Sequence, residues 1–161
     1  MSQEAKSVLI AYDGSELSKA ALRHAAELLP DLRAVVATVW EPELPEMSVI
    51  DPGGGAGLSI ASDPETVERI DRAQHDRAEG VARDGAELAR SLGLTAEPHA
   101  VPDEVDVADT LIDLAREQGA SVVVVGSHGI SGLRSRLLGG VSRKLIDHCD
   151  RPVLVVRGDS H

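Results

Sequence analysis

The sequence predicts an α/β fold: a single doubly wound domain in which five parallel strands alternate with four helices. Three observations carry this. Short apolar runs alternate along the chain with longer amphipathic ones, the pattern of βα units feeding a parallel sheet. One short run, Val122-Val123-Val124-Val125, is too apolar and too β-branched for a half-exposed strand, so it belongs in a sheet covered on both faces. The length of 161 residues, with 42% hydrophobic and 27% charged residues, suits one globular domain with a sizeable core.

The elements follow in order. Strand one is read at 8–11 and helix one at 15–29, with Leu17, Ala21, Ala25 and Leu28 on one face and Pro30 beyond its end. Strand two is read at 35–39. From Pro42 to Pro64 the chain carries Pro45, Pro52 and Gly53-Gly54-Gly55 without sustained periodicity, which reads as a surface loop. Its glycine triplet follows no strand and opens no helix, so it is no phosphate loop. Helix two spans 64–91, capped by Asp63 and closed by Gly93, with Val67, Ile70, Ala78, Val81, Leu88 and Leu92 at steps of three and four. His75 falls on its polar stretch and reads as solvated. Strand three at 95–101 contains Pro98, which suits a sheet edge. Helix three at 105–118 turns Val107, Leu111, Ile112 and Ala115 inward. After the valine strand, helix four runs to about His148 and strand five covers 153–156.

Composition excludes several functions. One Trp, one Tyr and no Phe leave an aliphatic core and no aromatic platform for stacking bases. A net charge of −11 opposes general binding to nucleic acid or an anionic membrane. The charge reverses locally: from Gly126 to Arg151, the cations Arg134, Arg136, Arg143, Lys144 and Arg151 face only Asp147 and Asp150. As a group they would ease the approach of a polyphosphate. Cys149, the one cysteine, cannot form an intrachain disulfide and reads as packing on the apolar face of helix four. His24, His99 and His148 have no partners at metal-ligand spacing. The first six residues form no apolar signal segment and no run of about 18 apolar residues exists, so a cytoplasmic location is expected.

The chemistry concentrates where the valine strand ends. Gly126-Ser127-His128-Gly129 leaves the strand, and Gly139-Gly140-Val141-Ser142 opens the next helix. Glycines let backbone N–H groups approach a ligand, and a helix N-terminus favours anions. A tight strand-to-helix turn with spare glycines would look the same. The spacing Gly126-x-x-Gly129, nine residues, then Gly139 with Val141-Ser142 resembles the nucleotide-binding signature of the universal stress protein family. Val8-Leu9-Ile10-Ala11-Tyr12-Asp13-Gly14-Ser15 resembles that family's first strand and helix start. Val35 to Pro42 resembles its second strand and Arg151 to Val156 its last, so the likeness runs from about 6 to 157. One departure is Gly140, where the family's ATP-binding pattern has Ser or Thr; the N–H remains and a hydroxyl is lost.

The resemblance implies strand order 3-2-1-4-5 and a ligand crevice between strands one and four, where Asp13 would face Gly126. It implies ATP with Mg²⁺ bridging its phosphates, bound by Ala11, Asp13, Val39, Gly126, His128, Gly129, Gly139, Gly140, Val141 and Ser142. Anionic Asp13 suits an adenine amino group or a ribose hydroxyl, or else caps helix one. Val39 is a wall for the base or a plain core residue. Gly126, Gly129, Gly139 and Gly140 would bring N–H groups to phosphates, with contacts from His128; Ser142 would donate a hydroxyl or cap helix four. Strand five is an apolar edge that invites pairing, and the resemblance implies a homodimer through Val153–Val156. No P-loop lysine, Gly-x-Gly-x-x-Gly after strand one or Gly-x-Ser-x-Gly elbow is present. The expected protein is therefore an ATP-binding regulator in a stress response. The alternatives are a relative of the same fold acting through protein partners alone, and a slow ATP hydrolase using His128 or Ser142.

Overall fold

The computed structural model describes residues 6–42, 64–103, 105–128 and 139–158. The expected surface loop at 43–63 with its cap Asp63, together with Gly129, Arg134 and Arg136, lies outside the described residues. The elements are β1 (Ser7–Ala11), α1 (Glu16–Leu28), β2 (Arg33–Trp40), α2 (Pro64–Ser91), β3 (Ala96–Pro102), α3 (Val107–Glu117), β4 (Ala120–Gly126), α4 (Gly140–His148) and β5 (Val153–Val156). The strands make one parallel sheet in the order β3-β2-β1-β4-β5. Class, strand order and the edge position of β3 agree with the sequence reading.

The strand sequences dictate the burial. Val8, Leu9 and Ile10 of β1 are all inaccessible to solvent, because alternate side chains enter two different cores. Val8, Ile10, Val36 and Val124 pack against Ala21, Leu22 and Ala25 of α1 and Ala86 and Ala89 of α2. Leu9, Val35, Val123 and Val125 pack against α3 and against Leu145 of α4. Thus α1 and α2 cover one face, and α3 and α4 the other. Cys149 packs against the second core, as its place on helix four predicts.

Small residues set α2 close to the sheet. Ala78, Ala82, Gly85, Ala86 and Ala89 form its buried stripe, and a Cβ on Gly85 would stand 2.7 Å from the Tyr12 ring. That close approach was not read from the sequence. The helix starts are local chemistry. Ser15 Oγ accepts from Ser18 N at 3.2 Å, and Asp106 Oδ1 accepts from Asp109 N at 2.8 Å, so helix three begins two residues later than expected. Asp13 is therefore not the cap of α1. At the closing end of α2, Gly93 takes a φ of +95°.

Candidate functional site

Since α1 leaves β1 on one face and α4 follows β4 on the other, the carboxyl ends of β1 and β4 part at the switch in direction. Open parallel sheets bind ligands at this place. Ala11 ends β1, half-buried against the core beneath α3. The chain then passes through buried Tyr12, whose N–H donates to Ala37 O at 2.8 Å and whose carbonyl accepts from Thr38 Oγ1 at 2.9 Å. These bonds lock the ends of β1 and β2 together. Burial pushes the Tyr12 phenol up; the Lys19 ammonium works against this, and Asp84, Asp13 and Glu16 reinforce it.

Asp13 Oδ1 accepts from Ser15 N at 2.9 Å across Gly14, whose φ of +82° requires glycine. The carboxylate is thereby fixed at the mouth of the crevice. Val39 is half-buried against the second core, which makes it both a core residue and an apolar flank of the β2 end. Trp40 follows on the opposite face. Its ring meets His75 of α2 edge-on, with centroids 5.7 Å apart and an interplanar angle of 74°. His75 is therefore half-buried against an aromatic ring, not simply solvated. The indole N–H of Trp40 is buried and has no hydrogen-bond partner among the described residues.

Gly126 is the last residue of β4 rather than a loop residue. A Cβ there would meet Leu17 Cγ of α1 at 2.9 Å, and its φ is not in the left-handed region. Packing of α1 is thus a structural reason for glycine at this position. Ser127 is 3% exposed, and its N–H continues the ladder to Val156 O at 2.8 Å. Its carbonyl accepts from Gly139 N at 2.6 Å and from Ser142 Oγ at 3.0 Å, binding the strand end to the start of α4. Among the described residues its own hydroxyl is buried without a partner, as is Nδ1 of His128.

Gly139 is the N-cap of α4 and has no side chain to offer the first-turn N–H groups. A Cβ there would sit 3.0 Å from Ser127 O, so glycine is needed for the close approach. Gly140 is exposed, and a Cβ on it would meet nothing within 4 Å among the described residues. Val141 packs on the second core. Ser142 departs from both expected roles. It is 2% exposed, and its hydroxyl turns back toward Ser127 O and Gly139 O, each at 3.0 Å, so it braces the turn and caps no N–H.

Among the described residues, two of the local cations are tied into the fold. Lys144 is hydrogen-bonded to Asp106 and, at 2.9 Å, to Asp109, tying α4 to the start of α3. These hydrogen bonds hold Asp106 below the usual carboxylate range and Lys144 above the usual lysine range. Arg151 donates to Ala120 O at 2.9 Å. Away from the crevice, a groove of about 220 Å³ lies between β3 and α3, rimmed by Asp109, Asp113 and Glu117. That rim repels anions, so the groove is no place for a phosphate. Sequence reasoning missed Ser127, Thr38 and the Trp40–His75 pair. For Ser127 the signal was present: a small polar residue directly after the valine strand.

Residues 4–157 match the universal stress protein family. The chain is 32% identical over 157 residues to the universal stress protein YxiE of Bacillus subtilis, covering 93% of this chain and 97% of that one. Its fold is similar to that of MJ0577 of Methanocaldococcus jannaschii, with TM-score 0.75, 21% identity and coverage of 98% and 99%. It is also similar to a universal stress protein of Archaeoglobus fulgidus solved in complex with dAMP, with TM-score 0.58, 22% identity and coverage of 94% and 97%.

Proposed function

The chain belongs to the universal stress protein family, and from that premise we propose that it binds an adenine nucleotide in the crevice at the carboxyl ends of β1, β2 and β4. One observation carries this reading: the buried hydroxyl of Ser127, which has no hydrogen-bond partner among the described residues, lies beside the N-terminus of α4, which no described side chain caps. A buried hydroxyl and free helix N–H groups are what a phosphate oxygen satisfies. The dAMP complex of the Archaeoglobus relative supports the adenine class.

In this reading Asp13, held by Ser15, accepts from the base or ribose, and Ala11 and Val39 flank the adenine. Backbone N–H groups of Gly140 and Val141, with Ser127 and His128, meet the phosphates. Gly126, Gly139 and Ser142 hold that frame in shape. ATP is the proposed physiological form. Ser127, His128 and the segment 139–142 contain no carboxylate, so Mg²⁺ would reach ATP through phosphate oxygens and water. The bound nucleotide then acts as a regulatory signal.

A homodimer through β5 is the proposed assembly. The β3 edge carries Pro98 and Pro102, which lack the N–H that edge pairing needs, while Val153–Val156 has no proline. A second reading, action through protein partners without nucleotide, is favoured by Gly140 and by the pairing of Lys144 with Asp106 and Asp109. Mass spectrometry of small molecules released from freshly purified protein, followed by calorimetry with AMP and ATP, separates the two. Released adenine nucleotide or measurable affinity supports the first. An empty protein that binds neither overturns it.

A further inference from the structure

The pair formed by Trp40 and His75 belongs to an arrangement that the nucleotide reading does not use. His75, Asp76 and Glu79 each bring one ligand atom, and the three atoms lie within 4.8 Å of one another. Residues four apart share a helix face, so His75 and Glu79 stand one turn apart with Nε2 3.5 Å from Oε1. Asp76 lies on the other side of the ring, with Oδ1 3.7 Å from Nδ1. The Nε2–Oε1 separation is long for a hydrogen bond, which favours about 2.7–3.2 Å. It is close to the spacing across a metal: two ligands each about 2.0–2.1 Å from a tetrahedral Zn²⁺ stand roughly 3.3 Å apart.

We propose that His75 Nε2 and Glu79 bind a divalent transition-metal ion of the Zn²⁺ class, with Asp76 orienting the imidazole from behind. A metal-binding histidine commonly gives its second ring N–H to a carboxylate, which fixes the tautomer and turns the other nitrogen's lone pair to the metal. Asp76 Oδ1 stands on that side of the ring, 3.7 Å from Nδ1, from where it can close on the N–H when an ion binds. A second, independent feature fixes the ring: the edge contact with Trp40. Trp40 is itself held at the end of β2, where its carbonyl accepts from Asp103 N at 2.8 Å. The imidazole is thus constrained on its flank before any ion arrives. One nitrogen and one carboxylate with open coordination positions suit Zn²⁺, Ni²⁺, Co²⁺ or Cu²⁺, and do not suit Mg²⁺, which requires oxygen ligands in octahedral array. The site does not depend on nucleotide binding and stands whether or not the crevice holds a ligand.

The chain's single tryptophan makes the test local. Ni²⁺, which quenches indole emission at short range, is titrated into the nucleotide-free protein at neutral pH, and Zn²⁺, which does not quench, is added as competitor. The expected result is saturable quenching of Trp40, reversed by Zn²⁺ and by chelator. Glu79→Gln keeps the Trp40–His75 contact and should weaken Ni²⁺ by about tenfold or more, and His75→Ala should abolish the saturable phase. An ion held at Cys149 or at another histidine would leave the emission unmoved. That result, or titration curves that Glu79→Gln leaves unchanged, overturns the assignment; the cluster is then an exposed ion-pair group only.

Discussion

Two glycines in α2, five residues apart, should respond to alanine with opposite signs. Intrinsic helix propensity makes Gly→Ala favourable by about 0.8–1.0 kcal/mol at either position. Around Gly80, a Cβ meets nothing within 4 Å, so Gly80→Ala should gain that amount in full. Around Gly85, the same atom would stand 2.7 and 2.9 Å from Tyr12 Cδ1 and Cε1 and 2.8 Å from Val36 Cγ1. Carbon atoms in contact prefer about 3.5–4.0 Å. Tyr12 is 5% exposed and Val36 fully buried, so neither can swing away, and the helix must lift from the sheet. Overpacking of this kind costs about 1–3 kcal/mol. The propensity gain is common to both variants, so the difference between them isolates the overpacking term at about 1–3 kcal/mol. Urea unfolding with an unchanged m value measures it, and each kcal/mol should also separate the melting points by roughly 2–4 °C. If Gly85→Ala proves as stabilising as Gly80→Ala, the close seating of α2 on Tyr12 is wrong.

Three other outcomes are expected. Gly140→Ser restores the family hydroxyl at a site with open space and no positive φ, so ATP affinity measured by calorimetry should hold or rise by about 0.5–1.5 kcal/mol; a marked loss would remove Gly140 from the phosphate end. Lys144→Gln should reduce stability most near neutral pH. The lowered Asp106 contributes above the ordinary aspartate range and fades as pH falls below about 4, while the raised Lys144 contributes below the ordinary lysine range and fades above about 10.4. The melting-point gap between wild type and variant should therefore close at both extremes, and a gap indifferent to pH would refute the α3–α4 tie. Val155→Lys should shift a β5-paired dimer toward monomer by light scattering at micromolar concentration, since like charges would meet near the two-fold axis. A wild-type monomer rules that interface out.

Much of the fold was legible because its signals are local. Val122 to Val125 had to be central and Pro98 had to be peripheral, whereas the caps Ser15 and Asp106 emerged only with the backbone geometry. The crevice was legible too, as the segments at the carboxyl ends of strands one, two and four. What could not be read was the partner of each group across the fold. Lys144 and Arg151 counted as cations near a glycine loop, yet one reaches Asp106 and Asp109 of a different βα unit and the other reaches Ala120 O. His75 looked solvated because Trp40, thirty-five positions away, carries no helical periodicity to announce it. Ser142 looked like a ligand hydroxyl until the carbonyl of Ser127 came within 3.0 Å.

The glycines carry this distinction furthest. A glycine in sequence reports that a Cβ is unwelcome, but not what stands in its place. At Gly126 the occupant is Leu17 of α1, at Gly139 it is the backbone of Ser127 and His128, and at Gly140 it is nothing among the described residues. A bulky residue at Gly126 would therefore disturb the seating of α1 before it reached any phosphate, and lost nucleotide binding in such a variant would not identify the ligand's position. Gly139→Ala would force apart the 2.6 Å bond between Gly139 N and Ser127 O and would disturb the cradle through its frame. Of these three glycines, Gly140 alone can take a Cβ that meets no atom of the described residues within 4 Å. Affinity changes at Gly140, and not at the two glycines flanking the turn, therefore measure what the bound phosphate itself requires.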